Sequence, residues 1–113
     1  MSADCLFCRI IRGEIPATIV AEDEHCVAFR DIGPQAPTHI LVVPRQHVST
    51  LNDVTDPLLI GRVMSAAAEV ARKENLVESG YRTVINTNAG AGQTVFHLHV
   101  HVLGGRRMAW PPG

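Results

Sequence analysis

Three histidines, His97, His99 and His101, alternate with Leu98 and Val100 and are followed by Val102 and Leu103. On an extended strand alternate side chains share a face, so this spacing gathers three imidazoles on one side and apolar residues, Phe96 included, on the other. Such a face is expensive to bury without a purpose, because polar rings lose hydration there. Imidazole attacks phosphorus well when one ring nitrogen is free and the other is held protonated. A nearby backbone carbonyl that accepts the Nδ1 proton would expose Nε2 in this way. A neighbouring histidine could then bind the phosphate or protonate a leaving group. The rival chemistry is a metal site, since His-x-His on a strand is a zinc half-site and a bound water would then be the nucleophile. The segment just upstream, Gly90, Ala91, Gly92, Gln93 and Thr94, favours phosphate. Its small residues let backbone N–H groups approach closely, and Gln93 and Thr94 add amide and hydroxyl donors.

The cysteines number three, at positions 5, 8 and 26. An odd count sits poorly with a disulfide framework. Cys5-x-x-Cys8 reads as a metal half-site or a redox pair, although no thioredoxin-like βαβ pattern surrounds it. Cys26, between His25 and Val27 in an apolar alternation, reads as a packed core thiol. His25 reads as a surface residue.

These groups need elements to hold them. Phe7, Ile10 and Ile11 fall at helical spacing within residues 4–13, and Gly13 can stop that short helix. Residues 18–21 and 25–30 read as strands separated by the polar turn Glu22, Asp23 and Glu24. After a loop stiffened by Gly33, Pro34 and Pro37 comes the apolar run Ile40, Leu41, Val42 and Val43, a third strand ended by Pro44. Thr55 or Asp56 can cap a long helix with Pro57 in its first turn. Leu59, Ile60, Val63, Met64, Ala67, Val70 and Ala71 form its apolar stripe, and Arg72 and Lys73 suit its negative end. Gly80 closes it, and residues 82–87 and 96–103 supply two more strands. The predicted fold class is α+β: a five-stranded, mostly antiparallel sheet with one long and one short helix.

The run 97–103, His-Leu-His-Val-His-Val-Leu, resembles the signature of the histidine-triad (HIT) superfamily. Positions 28–32 and 34–39 resemble that family's nucleoside-binding segment, and 92–96 its phosphate loop. The ending, residues 104–113, resembles the Hint branch, the histidine-triad nucleotide-binding proteins. The resemblance implies a HIT-like fold and a homodimer whose two sheets join into one of ten strands. It implies hydrolysis of the P–N bond of purine nucleoside 5′-phosphoramidates and related adenylates, with AMP released through a nucleotidyl-histidine intermediate. By position, His99 would be the nucleophile, and His101 would contact the phosphate and assist the leaving group. Asp31 and Ile32 would meet ribose and base, and Asn86, Gly92, Gln93 and Thr94 the phosphate. Thr94 stands where many relatives carry serine, which keeps the hydroxyl. Similar bacterial members join two N-terminal cysteines with two histidines in a structural zinc site, here Cys5, Cys8, His47 and His97. His97 would then leave the catalytic group. His39 is either a partner of the active site or an ordinary strand residue, and Trp110 either reaches the neighbouring subunit's site or packs on its own.

The chain of 113 residues suits a single domain, 1–113. A net charge of −1 with interspersed acids and bases excludes a long nucleic-acid partner but leaves a purine nucleotide open. No apolar stretch reaches membrane-span length. Met1, Ser2, Ala3, Asp4 and Cys5 show neither a basic leader nor a long apolar region, so no signal peptide is expected and the cytoplasm is the default compartment. The alternative to an enzyme is a nucleotide-binding regulatory module with incidental turnover.

Overall fold

Apolar residues alternate along the central strands with a period of two on each face, and that alternation decides what lies on either side of the sheet. The computed structural model describes residues 4–113; Met1, Ser2 and Ala3, part of the segment on which the absence of a leader was read, lie outside them. The strands are β1 (Ile19–Glu22), β2 (Cys26–Arg30), β3 (Thr38–Pro44), β4 (Tyr81–Val84) and β5 (Val100–Gly104). They form one sheet in the order β1-β2-β3-β5-β4, antiparallel throughout. The expected five-stranded α+β architecture is therefore what the chain adopts.

On one face, Cys26 and Ala28 of β2, Ile40 and Val42 of β3, and Val100 and Val102 of β5 pack with Leu98 against α2 (Pro57–Lys73). The helix contributes Leu59, Val63, Ala67, Val70 and Ala71, the greater part of the expected stripe, while Ile60 and Met64 are partly buried at its margins. The Cys26 thiol sits in this core, and burial raises its pKa to about 11, which keeps it protonated. On the other face, Val27, Phe29, Leu41 and Val43 pack with Phe7 of the short helix α1 (Leu6–Ile11). Being covered on both sides, β3 is buried at every position after Thr38, which explains its unbroken apolar run.

Two strand ends differ from the sequence reading by three residues or more. β4 ends at Val84, where its register meets His101. β5 begins only at Val100, so His97 and His99 precede the strand instead of lying on it. The ladder between β3 and β5 stops at Val42 opposite Val100. Two residues further on, Pro44 has no N–H to donate, and its carbonyl is taken by the His97 ring at 2.8 Å. Phe96, expected on the packed side, is 45% exposed because the chain has already left the sheet there. Two 3₁₀ turns, Leu51–Asp53 and Ala89–Ala91, interrupt segments that read as loops.

Asp56 is the residue that starts α2: its carboxylate accepts the Leu58 N–H at 3.0 Å, and Pro57 follows in the first turn. Asp56→Ala is expected to lower unfolding stability by about 1 kcal/mol. Thermal and urea denaturation of the two proteins would measure it, with nucleotide binding as the control.

Candidate active site

His101 and His39 lie on adjacent central strands, each one register step from the other, on the face away from α2. Their rings bond directly, His39 Nε2 to His101 Nδ1 at 2.9 Å. The Gln35 backbone N–H donates to His39 Nδ1 at 2.9 Å, so the proton of a neutral His39 must be on Nε2. His39 then donates to His101, and the proton of His101 is left on its Nε2. Asp31 Oδ2 stands 3.4 Å from His39 Nε2 and supports the same arrangement, while Asp31 Oδ1 accepts the Gly33 N–H at 2.8 Å. The choice left open for His39 is thus decided by its bonding: it fixes the tautomer of His101.

His99 is set by a different contact. Its Nδ1 donates to the His97 carbonyl at 2.7 Å, which leaves the Nε2 lone pair free. Phe7 meets the His99 ring edge-on, with centroids 5.1 Å apart and planes at 88°. His99 and His101 both line a cavity of about 270 Å³ with Asp31, Ile32 and Thr94, and its apolar wall includes Phe7, Ile10 and Phe29. Ile32 is 99% exposed at the rim, an apolar side chain with open space before it. Burial pushes the pKa of His99 down, and that of His101 down to about 4, so both rings are neutral near pH 7.

The preceding loop divides its expected duties. Thr94 lines the cavity, whereas the N–H groups of Gly92 and Gln93 bond within the loop, to the carbonyls of Ala89 and Asn88. The buried Gln93 side chain donates to the Ser49 and Val95 carbonyls and accepts the Asn88 N–H. Gln93 therefore shapes the loop, and Thr94 is the residue it presents. Asn86 is half-buried beyond β4 and does not border the cavity. His25 is at the surface as expected, and Trp110 is 81% exposed, with the Arg82 guanidinium 5.9 Å from its ring centroid.

His97 belongs elsewhere. It is fully buried, and its Nδ1 lies 3.4 Å from Cys5 Sγ, 3.5 Å from Cys8 Sγ and 3.2 Å from His47 Nδ1. Cys8 Sγ is in turn 3.4 Å from His47 Nδ1. All four atoms fall within 4.8 Å of one another. A tetrahedral zinc with bonds of about 2.0–2.3 Å needs edges of about 3.3–3.8 Å, so this donor set has the dimensions and chemistry for that ion. The His97 Nε2–H is already given to Pro44, which points the Nδ1 lone pair at the thiols. The three triad histidines thus divide between two sites instead of converging on one metal.

A profile for the HIT domain matches residues 12–108 of the chain. The chain belongs to the HIT family. This HIT protein is 48% identical to the purine nucleoside phosphoramidase of Escherichia coli K12 over 108 residues, covering 94% of this chain and 91% of that one. It is 55% identical to an uncharacterized HIT-like protein of Synechococcus elongatus over the whole of both chains. Among solved structures, a HIT family hydrolase from Legionella pneumophila superposes with a TM-score of 0.94 at 55% identity, covering 96% of this chain and 99% of that chain. A histidine triad protein from Clostridium difficile gives 0.91 at 38% identity, with 95% of each chain covered. The HIT match begins after Cys5 and Cys8, so the thiol pair stands outside the matched span.

Phe7 and Pro44 read from the sequence only as a helix residue and a strand end, and Gln35 only as part of segment 34–39, yet each orients a histidine or walls the cavity. Nothing in their residue types announces a partner far along the chain.

The buried rings make stability depend on pH. An unfolded histidine takes its proton near pH 6.5, whereas folded His101 takes it at about 4, and His39 and His99 are shifted in the same direction. Between those values the unfolded chain binds more protons, so stability is full above about 6.5 and falls as pH drops toward 4. His101→Gln should flatten this slope. Urea midpoints taken across that range would show it, and an unchanged slope would count against burial of His101 as a source.

Proposed function

We propose that the protein is a nucleotidyl hydrolase that cleaves the P–N bond of purine nucleoside 5′-phosphoramidates and related adenylates, releasing AMP. The observation that carries this reading is the His99 Nδ1–H bond to the His97 carbonyl, which presents the Nε2 lone pair of a neutral, buried imidazole to the cavity. The E. coli relative named as a purine nucleoside phosphoramidase supports the substrate class.

In the first step, His99 Nε2 attacks the α-phosphorus as the P–N bond to the leaving amine breaks. The departing nitrogen accepts a hydrogen bond from the His101 Nε2–H, which the His39–His101 bond holds in place, and takes its proton from solvent to leave as the amine. Water then attacks the phosphorus of the nucleotidyl-histidine, losing a proton to solvent as the bond to His99 breaks, and AMP leaves. Each ring ends in the protonation state in which it began. Thr94 provides hydroxyl and backbone donors beside the phosphate, Ile32 and the apolar wall take the purine, and Asp31 faces the ribose. Gly92 and Gln93 serve this end of the ligand indirectly, by forming the loop around it. The same reading includes a homodimer in which β4, an edge strand, joins its counterpart to make a ten-stranded sheet. No helix of the described residues is long and apolar enough to cross a membrane, in keeping with the proposed cytoplasmic location.

Cys5, Cys8, His47 and His97 would hold a structural zinc, which supplies a crosslink between α1, the segment after β3 and the approach to β5. Elemental analysis of protein prepared without chelators should give one zinc per chain, and its absence would remove this assignment.

His99→Ala should lower turnover of an adenosine phosphoramidate by at least about a thousandfold. Rapid quenching of the native enzyme should trap a nucleotidyl adduct that mass spectrometry places on His99. Tight AMP binding without turnover by the native protein would favour the regulatory module instead.

A further inference from the structure

Residue 97 takes part in both sites at once. Its ring is one corner of the thiol–imidazole cluster, with Nδ1 3.2–3.5 Å from His47, Cys5 and Cys8. Its main-chain carbonyl is the acceptor that orients His99, 2.7 Å away. Between these two functions lies one Cα, and because the ring is fully buried and bonded to Pro44, a displacement of the ring that carries this Cα also moves the carbonyl.

The sheet does little to hold this stretch in place. Ladder pairing with β3 begins at Val100, which leaves residues 97–99 outside it. Two bonds pin them, His97 Nε2–H to the Pro44 carbonyl at 2.8 Å and Leu98 N–H to the Val48 carbonyl at 2.7 Å. Both partners come from the segment just after β3, the same segment that carries His47. The cluster is therefore the third tie between that segment and the stretch carrying the nucleophile, and the only one that also reaches α1, whose Phe7 packs edge-on against the His99 ring. The facing Nδ1 atoms of His47 and His97, 3.2 Å apart, make a contact that a cation between them stabilises.

We propose that His97 is a positioning residue that couples the cluster to the nucleophile, so that zinc held by Cys5, Cys8, His47 and His97 fixes the angle of His99 and raises turnover without changing nucleotide affinity. The proposal rests on the hydrolase reading and on the zinc assignment above. Its logic is that a displacement of about 1 Å at a reacting group costs about a hundredfold in rate, whereas the cavity wall that binds the nucleotide is built largely from other residues.

The test compares full-length protein as prepared, stripped with a chelator, and reloaded with zinc. Steady-state kinetics on an adenosine phosphoramidate, AMP affinity by calorimetry, and the NMR resonances of the His99 ring are followed together. Stripping should lower kcat by about tenfold to a hundredfold, leave KM and AMP affinity within about twofold, and shift or broaden the His99 Nδ1–H resonance; reloading should reverse all of this. Unchanged kcat and an unchanged His99 resonance in stripped, folded protein would overturn the proposal, as would a protein that takes up no zinc. If circular dichroism shows that stripping unfolds the chain, Cys5→His keeps four ligands with altered geometry. That variant should then show the same loss of kcat at constant AMP affinity, and wild-type values for both kcat and the resonance would refute the coupling. If the native protein turns over no phosphoramidate, the hydrolase reading fails by itself. The response of the His99 resonance to zinc still decides the coupling in that case, and no response overturns it.

Discussion

A neutral imidazole buried against a sheet has one proton and one lone pair to place, and the placement of the first determines what the second can do. In this protein each buried ring is provided with a partner that leaves no choice. The His97 carbonyl takes the His99 proton, the Gln35 N–H forces the His39 proton onto Nε2, and His39 fixes His101 in turn. Each bond is modest by its own net contribution, yet an unpaired buried donor or acceptor would be costly, so the set is strongly selected. Among the described residues no buried side-chain polar atom lacks a partner. The apolar side of the sheet, with α2 packed on it, is the support against which this polar network is held.

The two faces of the sheet thus carry separate tasks that share the same strands. Even-numbered residues of β2, β3 and β5 make a core with α2, and odd-numbered ones meet α1 or bear the histidines. A substitution on the even side acts on packing against α2, whereas the odd side carries both a second core, with Val27, Phe29, Leu41 and Val43, and the histidines. α1 lies wholly on the odd side and joins the two sites there, because it supplies Cys8 to the thiol cluster and Phe7 and Ile10 to the cavity. Six helical residues would be marginal alone, and they are held by what they touch at both ends.

Much of this was legible from periodicity. The alternating run gave β2 and the C-terminal half of the histidine run β5, the continuous apolar run gave β3, the 3.6-residue stripe gave α2, and the CxxC pair pointed to a cluster whose dimensions suit a tetrahedral ion. What stayed hidden depends on bonds between distant residues. That β5 starts at Val100 follows from Pro44 and the bond its carbonyl makes with His97, and no local propensity encodes such a pairing. Gln93 looked like a ligand donor because an amide in a glycine-containing loop is chemically suited to phosphate. Its three bonds to loop backbone are visible only once Ser49 is beside it. Residue type indicates what a side chain is able to do, and the fold decides which of those abilities remains available.

The Gln93 clasp also bears on the thermodynamics of recognition. A small-residue loop left to itself would sample many conformations, and a ligand that froze it would lose affinity to the entropy of ordering. Here one buried amide ties Asn88, Val95 and the distant Ser49 together before any ligand arrives. Tied in this way, the loop beside the cavity is a preorganised surface instead of a closing flap. Its association with a nucleotide should resemble docking onto a rigid surface, with little heat-capacity change beyond that of the apolar area the base covers.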